Sequence, residues 1–236
     1  MEPFGGGICK GLLDCNLNGK WWRSSIIDTN AGKLPDGFPK PAQGCPLDKK
    51  VFDTIDVELV IKAPANAKGF SFDFNFYSGE WPGYICTRFN DGFIAYLEAK
   101  GFNGGDPDNI SFDANNNPVS VNNGFFDRCT PNTTTGCFGS MQTKSACAGG
   151  TAELEGTGYA QIGKWCEPYA PAKDEMSTNG GATGWLTTSA PIEPGETFKL
   201  DLVIWDTGDG LLDSSVLLDN FKWTPTKTKV VTERPR

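Results

Sequence analysis

The chain has 236 residues, with 29 acidic against 21 basic side chains, a net charge of −8 and no histidine. Such an acidic balance speaks against a general nucleic-acid role, which needs a basic surface. The lack of histidine removes Ser-His-Asp and Cys-His catalysis in their usual forms, and with them most zinc, copper and non-haem iron sites.

With 29 glycines and 16 prolines, the composition is that of one loop-rich folded domain, long enough to bury a real core. Residues 1–50 are rich in Cys, Gly and Pro and are expected to pack on that domain, with a short strand over residues 24–28 after Trp21 and Trp22. Met1–Gly7 lacks the basic and then apolar start of a signal peptide, and no apolar run reaches the length of a membrane span. The cysteines are Cys9, Cys15, Cys45, Cys86, Cys129, Cys137, Cys147 and Cys166, an even number without a C-x-x-C pair. They imply disulfides and an oxidising compartment, not a zinc ribbon. Cys9–Cys15, Cys129–Cys137 and Cys147–Cys166 are the plausible local pairs.

Residues 51–224 carry the β signal. VFDTIDVELVIKAP alternates, and Phe70, Phe72, Phe74 and Phe76 then fall on one face with Ser71, Asp73, Asn75 and Tyr77 on the other. Period two with aromatics on a single side predicts a half-buried strand. Gly92 to Leu97 reads as the next strand. Residues 101–181 read as a long Cys-rich insert of loops, with two weak glycosylation patterns at Asn109 and Asn132. Strands return over 184–190, 196–205 and 214–223, with Pro194-Gly195 as a turn, and residues 225–236 read as a linker or tail. Many strands and long loops predict an all-β fold, an antiparallel β-sandwich that is jelly-roll-like, with disulfide-stapled loops.

Asp206, Asp209 and Asp213 crowd the connection between the last two strands without a basic residue. The spacing is not that of an EF-hand, because Gly208 and Gly210 occupy its third and fifth positions. A dense carboxylate set without thiolate or imidazole suits calcium. Glu80 and Asp91, in the loop after the Phe strand, join Asp206, Asp209 and Asp213 as the candidate metal ligands if the two loops share one end of the sandwich. Otherwise these residues are turn formers and solvated charges. Asp219 reads as a turn residue.

Three stretches resemble the choice-of-anchor L family of bacterial secreted and surface proteins. They are GFSFDFNFYSGEWPGYICTRFNDGFIAYL, the NISFD segment at 109–113, and GGATGWLTTSAPIEPGETFKLDLVIWDTGDGLLDSSVLLDNF. The motif positions are Phe74, Phe76, Ser78, Glu80 and Trp81, then Asn90, Asp91 and Phe93, then Asp206, Asp209, Asp213 and Ser214. The resemblance implies export and display, without a ligand or an activity.

Together these readings predict a non-enzymatic extracellular adhesion module, stabilised by calcium. Its partners would be an extracellular glycan or a surface protein, with self-association the further option. Trp81, Trp165 and Trp185 are the aromatic candidates for ligand contact. The alternatives are a structural subunit of a surface filament or matrix and, last, a glycoside hydrolase using Glu80 with an aspartate of 206–213.

Overall fold

A computed structural model describes residues 34–42, 44–167, 169, 171–212 and 214–235. The strands are β1 Val51–Lys62, β2 Gly69–Ser78, β3 Gly92–Glu98, β4 Asp108–Asn109, β5 Val119–Ser120, β6 Thr134–Thr135 and β7 Thr143–Lys144, then β8 Ile162–Gly163, β9 Ser177–Thr178, β10 Gly181–Ala182, β11 Leu186–Pro191, β12 Thr197–Thr207, β13 Ser215–Thr224 and β14 Val231–Glu233. All pairings are antiparallel. One sheet runs β1-β12-β3, with β4 and β5 both on the far side of β3. In the other, β13 lies along one side of β2, and β11, then β14, along the opposite side.

The alternation read from the sequence builds the core between these sheets. Phe70, Phe72, Phe74 and Phe76 of β2 meet Phe93, Ala95 and Leu97 of β3 and Phe198, Leu200 and Leu202 of β12. Phe74 and Phe93 have ring centroids 5.2 Å apart, as do Phe70 and Phe198. Each buried Phe contributes roughly 2–3 kcal/mol by its area. The outer face of the first sheet is also covered. Leu34 and Phe38, from the segment that leads into β1, pack on Ile94, Val203 and Trp205.

Three sequence expectations change here. Asn75 and Tyr77, placed on the solvent side of β2, are buried. The insert folds over them, with Tyr77 packed on Leu154, Ala182 and Tyr159. The disulfides are Cys45–Cys86, Cys129–Cys147 and Cys137–Cys166, so the local pairs Cys129–Cys137 and Cys147–Cys166 are wrong. The β6–β7 hairpin explains this. Cys129 and Cys147 flank its stem, and Cys137 sits in its loop, so the extended chain between Cys129 and Cys137 holds them apart. Cys9, Cys15, Trp21, Trp22 and the strand expected over 24–28 lie outside the described residues. Finally, part of the expected tail is a strand. β14 pairs with β11, and Arg234 donates to Thr183 O, to Phe125 O and to the Asp127 carboxylate. Three residues of strand between polar neighbours carry too little periodicity to be read.

Asp113, within the NISFD segment, organises the edge beside β5. Its carboxylate accepts from the backbone N–H groups of Asn115, Asn117 and Gly124 and from Asn117 Nδ2, all within 2.9–3.0 Å. Burial pushes this carboxyl up, but the hydrogen bonds outweigh burial and leave it below the ordinary aspartate value. Asp113→Ala, which orphans three backbone donors, is expected to lower stability by about 2–4 kcal/mol in urea unfolding at pH 7. Because the folded carboxyl is depressed, its contribution is present above the unfolded value of 3.8 and is lost as pH falls through the folded one. The gap between Asp113→Asn and the parent should therefore close below that pH; a pH-independent gap would contradict the assignment.

Candidate functional site: carboxylates at the end of the core

Three core-facing rows change character at the same end of the sandwich. On β2 the row Phe70, Phe72, Phe74, Phe76 continues, two residues at a time, to Ser78 and Glu80. On β3, Leu97, Ala95 and Phe93 run back to Asp91. On β12, Leu200, Leu202 and Ile204 run on to Asp206. Antiparallel register places Trp205 opposite Gly92, which brings Asp206 and Asp91 to neighbouring positions. Strand period two carries the β12 row to Asp206, while Asp91 directly precedes β3 and Glu80 lies in the turn just beyond β2.

These acids are not solvated. Glu80, Asp91 and Asp206 are 2%, 1% and 4% exposed. Asp91 Oδ1 accepts from Thr207 N at 3.1 Å, and Oδ2 from Ser214 Oγ at 2.9 Å. The Thr207 hydroxyl donates to Asn90 O at 3.0 Å. Asp209 is half-buried and accepts from Leu211 N at 3.1 Å in a local turn. Glu80 Oε2 is buried without a hydrogen-bond partner.

The electrostatics follow. Burial, then the charges of Asp91 and Asp209, hold the Glu80 carboxyl well above its usual range. Burial raises Asp209 as well, against the opposing hydrogen bond from Leu211 N and the Arg88 charge. The Tyr84 hydroxyl is raised by burial and then by the charges of Glu80 and Asp209. Glu80 thus feels the charges of both Asp91 and Asp209. Asp213 lies outside the described residues. Among the described residues, no three acidic, thiol or imidazole side chains are drawn together as ligands of one ion.

The surroundings fix the acid-bearing loops. Cys45–Cys86 ties the loop after β2 to the segment that crosses the first sheet. Phe138 of the insert lies so close to Gly83 that a Cβ there would sit 2.2 Å from its ring, and Phe138 N donates to Gly83 O. Gly208, at φ 94°, backs onto Phe89 and donates to Lys50 O. Asn122 joins the loop from the β5 side, bonding Cys86 N and Asn90 Oδ1 at 2.8 Å each. Asn122, Tyr84 and Thr207 carry no motif that singles them out; the signal available was that Thr207 extends the acid-ended strand.

The aromatic candidates divide. Trp81 is buried with Val121, Cys129 and Cys147, so its ring is part of a packed cluster. Trp165 packs on Gly163, and its indole N–H donates to Gln161 O and Ser177 O. Trp185 is 36% exposed. Asp219 lies in β13 beside a register shift, with its carboxylate on Asn220 N.

The architecture is that of a disulfide-stapled β-sandwich with its two sheets closed at one end by acid-bearing loops. The choice-of-anchor L domain matches residues 58–222, well over half the chain, and the chain belongs to that family. The family is one of surface-associated domains and is not an enzyme family. With the disulfides, it points to an extracellular or surface protein. No curated protein and no solved structure matches the chain.

The Cys45–Cys86 bridge closes a loop with a sequence separation of 41 residues. Replacing both cysteines with serine is expected to lower stability by about 4 kcal/mol, the loop-entropy value for that length. Limited proteolysis should then cut first within residues 79–90. Unchanged stability and cleavage would mean that packing alone holds the loop.

Proposed function

We propose that this domain is a non-enzymatic extracellular adhesion or display module whose acid-bearing loops are ordered by calcium. The observation that carries the reading is Glu80 Oε2, a buried carboxylate oxygen without a hydrogen-bond partner, beside the charges of Asp91 and Asp209. A buried carboxylate cluster without a cation is destabilising at neutral pH, and oxygen-only ligands suit a hard divalent ion. Glu80, Asp91 and Asp209 would be drawn onto the ion, with Asp206 and Asp213 as the remaining proposed ligands. Bound calcium would join the loop after β2 to the β12–β13 connection and offset the repulsion between them.

Thermal unfolding with calcium and with chelator tests this. Calcium at about a hundredfold excess over its Kd should stabilise the fold by about 2.7 kcal/mol. Asp209→Asn should weaken binding and lower stability only when calcium is present. Glu80→Gln should abolish the calcium gain, yet in chelator it should be as stable as the parent or more so, since the buried charge is gone. A parent protein whose unfolding ignores both calcium and chelator refutes the reading.

A second reading, a subunit that assembles through its strand edges, draws on β1. Among the described residues no strand pairs with its outer edge, and Ile55, Val57 and Val60 are exposed along it. Such an edge templates pairing unless it is blocked. On this reading sedimentation shows concentration-dependent assembly, and Val60→Lys suppresses it; a monomer at all concentrations discards it.

A further inference from the structure

Away from the acidic end, the far edge of the first sheet carries a cavity of about 200 Å³. Three stretches remote in sequence build it: Lys40 from the segment crossing the first sheet, residues 102–118 around β4, and Val230 just before β14. None of the described acids of the proposed calcium site lines it. Phe102 and Phe112, both half-buried, form apolar walls, and Phe102 and Val230 are braced from behind by the main core. Three polar side chains with little internal employment complete the lining. Asp108 uses one oxygen on Asn109 N at 2.7 Å, and its carboxylate makes no salt bridge within the described residues. The Lys40 ammonium lies 4.5 Å from the Phe38 ring centroid and likewise makes no salt bridge within the described residues. Asn116, held at φ 62° in the turn that Asp113 organises, has a carboxamide without a hydrogen bond to the described residues.

We propose that this cavity is a binding subsite for a single uncharged pyranose ring, the terminal or branch residue of a glycan. A sugar hydroxyl both donates and accepts. Asp108 can take a vicinal pair, Lys40 can donate, and Asn116 can do either. The C–H face of the ring needs an apolar wall, which Phe102 and Phe112 supply. The lysine and aspartate charges balance, so the site asks for no charge on the ligand. At about 200 Å³ the cavity is smaller than the roughly 300–1,000 Å³ of sites for drug-sized ligands, which suits one sugar ring. Affinity for one ring should be weak, roughly 1 mM, and raised by multivalent display. The inference rests on the adhesion reading of the domain and is independent of calcium.

Saturation-transfer NMR on the full chain tests it, with the methyl pyranosides of glucose, galactose, mannose and N-acetylglucosamine as probes. Glucuronic acid and free glycine serve as charged controls, and every measurement is run with calcium and with chelator. At least one uncharged pyranoside should bind under both conditions. Asn116→Gly suits the positive φ, and Asp108→Asn keeps an oxygen for Asn109 N–H; each should weaken binding about tenfold with the unfolding temperature unchanged. The proposal is overturned if no uncharged pyranoside binds, if only the charged controls bind, or if both variants bind like the parent. Binding that disappears with chelator would move the ligand to the acidic end and also overturn it. Binding that persists in chelator supports the subsite even if calcium itself proves to have no effect on stability.

Discussion

The structure turns on the burial of like charges at one end of an apolar core. Glu80, Asp91 and Asp206 stand where the rows of β2, β3 and β12 would otherwise offer another Phe, Ala or Leu. Removing a carboxylate from water costs several kcal/mol even after relaxation, and proximity to a second adds to that. The fold answers at Asp91 with Thr207 N and Ser214 Oγ. It answers at Glu80 only by raising the carboxyl's proton affinity. That asymmetry is why the proposed ion site rests chiefly on Glu80.

Everything around this end is a clamp. The segment before β1 covers the outer face of the first sheet and delivers Cys45 to Cys86. The insert delivers Phe138 to Gly83, and Gly136 N to Pro82 O. Its own two disulfides keep that contact surface rigid without a core of its own size. Loops held from two sides by covalent and close backbone contacts lose less entropy when they order around a ligand. The long non-periodic insert is therefore part of how the acidic loops are positioned, not an independent unit on the sandwich.

The legible parts were those written in period two. Phe70 to Phe76 declared β2 and its buried face, and the same alternation gave β1, β3, β11, β12 and β13 to within a few residues. The acids could be picked out in the sequence, because Asp206 and Asp209 lie at the end of one strand and Glu80 and Asp91 beside two others. Their burial could have been read too, by following each apolar row two to four residues further. The disulfide map was not legible. Two-residue strands such as β6 and β7 leave no periodic trace, yet their register decides which cysteines meet. Tyr77 and Trp81 misled in the same way. An aromatic on the outward side of a strand, or at a loop start, looks available until a distant segment is laid over it. The proposed saccharide subsite was invisible for that reason as well: Lys40, Asp108, Asn116 and Val230 have no common spacing and are joined only by tertiary packing.

The two ends of the first sheet solve different physical problems, and their chemistry differs accordingly. At the β12–β3 end, carboxylates are buried and charge is unbalanced, so the partner proposed there is a small cation. At the β4 edge, Lys40 and Asp108 balance, their side chains are partly in water, and the walls are aromatic, so the partner proposed there is uncharged and amphipathic. An ion at the first would stiffen the scaffold from which the second is presented, because β3 carries both: Asp91 precedes it, and Asp108 and Asn109 pair with its Leu97 and Tyr96. Division of labour along one strand needs no conformational change between the sites. It requires only that β3 be held at both ends, which the Asp91–Thr207 bond and the pairing with β4 provide.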